Sequence, residues 1–120
     1  MRVLIVDDSR VARLLVCGYL EERRPDWQLD QASSGVEALT LATEHAYDLV
    51  VLDINMPGMS GLLAGERILR ASASIRVAVL TGNVQTASRL RAEALGMLFL
   101  AKPVNDALIE RLLTFAEQPE

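Results

Sequence analysis

Short apolar blocks recur along the chain, each followed by a longer stretch with helical periodicity. Val3-Leu4-Ile5-Val6, Asp48-Leu49-Val50-Val51-Leu52, Val77-Ala78-Val79-Leu80 and Met97-Leu98-Phe99-Leu100 carry little polar alternation. Blocks of this kind read as strands buried on both faces of a parallel sheet. Trp27-Gln28-Leu29-Asp30-Gln31-Ala32 alternates instead, which predicts a half-exposed strand at an edge. The intervening segments carry helix signals. Ser9 is placed to N-cap a helix reaching about Arg24, where Pro25 ends it. Ser34 caps Val36 to about His45, with Glu37 completing a capping box, and Ser60 caps Gly61 to about Ala71. Val84, Ala87, Leu90 and Ala94 form an apolar stripe on a fourth helix, closed by Gly96. Leu108, Leu112, Phe115 and Ala116 mark an amphipathic fifth helix with Pro103 at its entrance. Five strands and five helices in strict alternation predict right-handed βαβ units and a doubly wound α/β sandwich.

Composition narrows the class. With 120 residues, 51% of them hydrophobic, the chain suits one domain with a packed core. That domain is expected over residues 1–117, with 118–120 as a tail or the start of a linker. No apolar run reaches the ~18–20 residues of a membrane helix. Few apolar residues precede the first carboxylate at Asp7, so no signal peptide is expected. The lone Cys17 cannot form an intramolecular disulfide, and with these features it points to the cytoplasm. A net charge of −4 argues against non-specific nucleic-acid binding. Of twelve basic residues only Lys102 is lysine.

In a doubly wound sheet, function collects at the carboxyl ends of the strands. There the sequence places Asp7 and Asp8 after the first strand, Asp53 after the third, Thr81 after the fourth and Lys102 after the fifth. Three close carboxylates repel, and without a counter-charge at least one takes up a proton. A hard divalent cation such as Mg2+ relieves this with oxygen ligands. Lys102 adds a point charge suited to a phosphate oxygen and Thr81 a short donor. The set reads as a phosphoryl-transfer site with a carboxylate nucleophile. Taken singly, Asp7 or Asp8 could equally cap the first helix, and Asp53 could open the turn formed by Asn55, Pro57 and Gly58.

With these residues in place, the chain resembles a response-regulator receiver domain. The resemblance runs from Val3 to about Ala116. It is carried by Ile5-Val6-Asp7-Asp8-Ser9-Arg10, Leu52-Asp53-Ile54-Asn55-Met56-Pro57-Gly58-Met59-Ser60-Gly61, Leu80-Thr81-Gly82 and Phe99-Leu100-Ala101-Lys102-Pro103. It implies a flavodoxin-like strand order 2-1-3-4-5 and a binding switch operated by phosphorylation, not an enzyme beyond its own phosphotransfer and dephosphorylation. Asp53 would take a phosphoryl group from a sensor histidine kinase or phosphotransfer protein. Mg2+ would be held by Asp8, by Asp7 largely through water, by Asp53 and by the backbone carbonyl of Asn55. Thr81 and Lys102 would contact phosphoryl oxygens, Phe99 would be the switch aromatic, and the Lys102–Pro103 bond would be cis. The readout would be a downstream target or output domain meeting the fourth helix, fifth strand and fifth helix, with room for a phosphorylation-dependent dimer. The chain would be either a stand-alone regulator or the receiver of a longer protein. It departs from the family at Gly96-Met97-Leu98, a turn one residue tighter than usual with Met97 bulkier than the common alanine. Asn55 and Asn83 occupy the family's two variable positions that tune phosphoryl lifetime.

Two other classes fit the alternation less well. A flavin carrier of the same topology needs a phosphate loop where this chain has Asp7-Asp8. An aspartyl-phosphate phosphohydrolase usually has a second Asp two residues after its nucleophile, and Asn55 stands there. Of the remaining singular residues, Cys17 is expected in the core, His45 near a helix C-terminus, Trp27 packed at the sheet edge, and Arg10 and Arg13 on a solvated face of the first helix.

Overall fold

The computed structural model describes residues 1–119. In chain order the elements are β1 (Arg2–Val6), α1 (Arg10–Arg23), β2 (Gln28–Ala32), α2 (Gly35–Glu44), β3 (Leu49–Asp53), α3 (Gly61–Ala71), β4 (Arg76–Thr81), α4 (Thr86–Ala94), β5 (Leu98–Ala101) and α5 (Asp106–Ala116). The strands form one sheet in the order β2-β1-β3-β4-β5, every neighbouring pair parallel. This is the expected doubly wound fold. The expected tail at 118–120 includes Glu120, which lies outside the described residues.

Alternate residues of each central strand feed two cores. Val3, Ile5, Leu49, Val51, Ala78 and Leu80 pack with α1 and α5. Leu4, Val6, Val50, Leu52, Val77 and Val79 pack with α2, α3 and α4. All five residues of β3 are buried, as expected of a strand covered on both faces. β2, at the edge, buries only Ala32 fully.

The caps fall where the small polar residues predict. The hydroxyls of Ser9, Ser34 and Ser60 accept from the backbone N–H of Ala12, Glu37 and Leu63. The return arm of the expected capping box is displaced by one residue, because the Glu37 carboxylate accepts from the Ser33 hydroxyl at 2.9 Å and the Ser33 N–H at 3.4 Å. At α5 the cap is Asn105, whose Oδ1 accepts from Leu108 N–H at 2.9 Å. Pro103 therefore lies before the helix, in the loop that follows β5, and not in its first turn. The Lys102–Pro103 peptide is cis.

The fourth helix differs from its apolar pattern. An apolar stripe ordinarily faces the core, yet Val84 lies before the helix, which starts at Thr86, and Ala87, Leu90 and Ala94 are exposed. The sheet is met by a weaker stripe, Ser88, Ala92 and Leu95, of which only Ala92 is fully buried. The helix ends in a Schellman turn: Met97 N–H donates to Ala92 O, Gly96 N–H donates to Glu93 O, and Gly96 takes φ +79°. This turn leads straight into β5, which accounts for the short connection. Its bulky Met97 is buried beside Gly65 of α3, where an added Cβ would fall 2.8 Å from the Met97 methyl.

Candidate functional site

The carboxyl ends of β1 and β3 are adjacent in the sheet, and the turns beyond them bring Asp7, Asp8 and Asp53 together. One carboxylate oxygen from each lies within 4.8 Å of the others. Asp7 and Asp53 are buried at 5% and 7% exposure, while Asp8 faces solvent. Lys102 enters from the end of β5. Its Nζ stands 3.3 Å from Asp7 Oδ2 and 3.8 Å from Asp53 Oδ2, a lone cation among three carboxylates.

The two buried carboxylates differ in how fully they are engaged. Asp7 Oδ1 accepts from Ser9 N–H at 2.9 Å and its Oδ2 faces Lys102. The helix cap itself is Ser9, so Asp7 supports the entry to α1 without capping it. Asp53 has only a long 3.4 Å contact from Asn55 N–H and the more distant lysine. Burial, and then the charge of Asp7, push the Asp53 carboxyl above the ordinary carboxylate range. Lys102 and the Asn55 N–H oppose that push, and Asp8 adds to it. An all-oxygen donor set with excess negative charge is what a hard divalent cation binds, so these side chains fit a metal of the Mg2+ or Ca2+ kind.

Thr81 closes β4 and is 1% exposed. Its hydroxyl bonds to Asn83 and to the Asn55 side-chain amide at 3.0 Å, rather than to Asp53. Phe99 lies further off, half-buried against the α2–α4 core and level with Val79 of β4. The rim thus gathers Asp7, Asp8, Asp53 and Lys102 around one point, with Asn55 and Thr81 linked to each other at its border.

Two further residues build this site. Arg13 lies half-buried instead of solvated: it donates to the Asp7 carbonyl at 2.7 Å and to Gln31 at 3.0 Å, holding the loop after β1. Gly61, the first residue of α3, lies so close to Asp53 that an added Cβ would land on the Asp53 carbonyl oxygen. Its N–H donates to Ile54 O at 3.1 Å. The sequence signal for this second role was a glycine directly after a capping serine. Cys17 is buried in the α1–α5 core, where burial raises its thiol pKa. His45 is exposed at the end of α2, and Trp27 is partly buried against the same core as Cys17.

Comparison with known proteins agrees with this geometry. The model of the response regulator receiver domain matches residues 3–114. The sensor histidine kinase RcsC of Salmonella typhi is 34% identical over 120 residues, covering 98% of this chain and 12% of that protein. The response regulator UvrY of Escherichia coli is 32% identical over 101 residues, covering 82% of this chain and 46% of that protein. The chain therefore spans less than half the length of these relatives. Among solved structures, the response regulator TrrA of Thermotoga maritima, in complex with Mg(2+)-BeF, has a TM-score of 0.83 at 34% identity. That match covers 95% of this chain and 97% of the other. Family match, sheet order and carboxylate cluster agree: the chain belongs to the response regulator receiver domain family, the phosphoryl-accepting modules of two-component signalling.

Proposed function

We propose that Asp53 is the phosphoacceptor of this receiver. The observation that carries the assignment is the asymmetry between the buried carboxylates. Both are buried, but Asp7 has both oxygens engaged, whereas Asp53 is weakly hydrogen-bonded at the end of the central strand β3. A nucleophile needs an available lone pair, and Asp53 has one. Its carboxylate oxygen attacks phosphorus of a phosphohistidine on a sensor histidine kinase or phosphotransfer protein. The P–N bond breaks as the P–O bond forms, and the imidazole leaves with the electron pair.

Asp8, Asp7, Asp53 and the Asn55 backbone carbonyl would hold Mg2+. When bound, the ion neutralises charge on the transferring phosphoryl group. Lys102 then exchanges its carboxylate partners for a phosphoryl oxygen, and Thr81 donates to another. Movement of Thr81 vacates space beside β4 that the half-buried Phe99 ring fills, remodelling the α4–β5–α5 face for a target, an output domain or a second copy. The domain works as a cytoplasmic switch whose only chemistry is its own phosphorylation and dephosphorylation.

A small acyl-phosphate donor with Mg2+ should add one phosphoryl group, and a chelator should prevent it. Asp53→Asn keeps the shape and removes the nucleophile, so mass analysis should find that variant unlabelled. Labelling at the wild-type rate would overturn the assignment.

A further inference from the structure

The Thr81 hydroxyl is fully occupied. It donates to the Asn83 carbonyl and accepts from the Asn83 N–H and from Asn55 Nδ2, each at 3.0 Å. A hydroxyl has one proton and two lone pairs, so no capacity is left. In this arrangement Thr81 has no proton to give an acceptor on Asp53 until it releases Asn83. The two Asn83 bonds are local to the turn after β4. The Asn55 bond is of another kind, because it ties the end of β3 to the end of β4 across 26 residues of sequence.

Asn55 thus faces both parts of the switch. Its backbone N–H points at Asp53 Oδ1 at 3.4 Å, while its side-chain amide holds the Thr81 hydroxyl. Thr81 is 1% exposed, so water does not readily replace the amide as a donor. Asn55 as a residue is exposed, and the bond is not there to satisfy a buried amide.

From this link we propose that the Asn55 carboxamide is a positioning residue that latches Thr81 in its non-donating orientation, setting how readily a phosphoryl group on Asp53 converts the α4 side. This rests on Asp53 being the phosphoacceptor. Carrying Thr81 Oγ1 from the Asn83 carbonyl to a phosphoryl oxygen displaces the oxygen that Asn55 Nδ2 holds, so the latch opposes conversion by about the net worth of one hydrogen bond.

The test is a double-mutant cycle on the full chain, with Mg2+ and beryllofluoride as the phosphoryl mimic. Conversion is followed by amide chemical shifts of Gly82, Asn83 and α4. Asn55→Leu keeps the side-chain volume and cannot donate; Asn55→Ala is the second variant. Both should reach half-conversion at about fivefold lower beryllofluoride, the equivalent of one net hydrogen bond. In a Thr81→Val background, which lacks the converting hydroxyl and is read as beryllofluoride binding at the Gly82 and Asn83 amides, the same substitutions should shift the midpoint by less than about twofold. Without mimic, Asn55→Leu should also move the Asn83 amide resonance and speed its hydrogen exchange. An unchanged midpoint with Thr81 present, or an equal shift with and without the hydroxyl, would overturn the latch while leaving Asp53 as phosphoacceptor. A wild-type chain that binds beryllofluoride no better than Asp53→Asn would overturn that assignment and the latch together.

Discussion

The α1 side of the sheet and the α4 side are held in different ways. α1 starts on a side-chain cap, buries Val16, Cys17 and Leu20, and is tied to α5 by Arg23 to Asp106 and Glu110 and by Arg24 to Glu117. From the same helix Arg13 grips the Asp7 carbonyl. α4 has nine residues, no side-chain cap at Gln85 and one fully buried residue, Ala92. Its charged tie runs from Arg91 to Glu66 of α3 at 2.6 Å. The carboxylates therefore stand on an over-determined frame, while the neighbouring helix sits at the low-stability end of the molecule, where moving elements are drawn from. Precision is needed where charge is concentrated, and looseness is useful where a signal must be read.

The contrast is most sharply tested by matched leucines. Leu112→Ala empties a fully buried site on α5 and should cost about 3–4 kcal/mol in chemical denaturation. Leu90→Ala on α4, 59% exposed, should change stability by no more than about 0.5 kcal/mol. Comparable losses would mean that α4 is as well anchored as α5. Gly61→Ala should come next, at roughly 2–3 kcal/mol, because its Cβ has only the Asp53 backbone to displace. If Asp53 is the phosphoacceptor, its labelling should slow along with that loss, since its side chain moves with its carbonyl.

A smaller effect of opposite sign is expected from Asp53→Asn. The folded-state pKa of Asp53 is raised, so its contribution favours folding at low pH and is lost as pH rises through that pKa. With metal chelated at pH 7 the carboxylate costs stability, and the asparagine variant should melt higher. The gain should vanish as pH falls toward about 4. Thermal melts across pH check this, and a gain independent of pH would point to packing instead. A small change is expected for Arg91→Ala, about 1 kcal/mol or less, because Arg91 is more than half exposed and Glu66 keeps its bond to Arg70. Hydrogen exchange should nonetheless find α4 opening faster while α1 is unaffected.

Much of the fold could be read from local pattern. Leu49-Val50-Val51-Leu52 has no polar residue because β3 has no solvent face, and Ser9, Ser34 and Ser60 mark helix starts through bonds spanning three residues. That Asp7, Asp8, Asp53 and Lys102 lie together followed from topology, since the strands of a parallel sheet end along one edge. What escaped was set by three-dimensional contact. On α4 the more apolar stripe lies outward, and the face turned to the sheet buries only Ala92 fully. Arg13 looked like a surface charge because its partner is a backbone carbonyl with no sequence signature. The Asn55–Thr81 bond depends on side-chain orientation across two loops.

The Schellman turn at Gly96 has a mechanical consequence. Its two backbone bonds fasten the last turn of α4 directly to Met97, which is wedged against Gly65, so that end of the helix has no slack. The other end, at Gln85, is uncapped and follows the exposed Gly82-Asn83-Val84 segment. α4 is built like a door, held at Gly96 and without a side-chain cap at its Gln85 end. A displacement at the Gln85 end would therefore turn α4 about Gly96, carrying the exposed Ala87 furthest and Leu90 and Ala94 less.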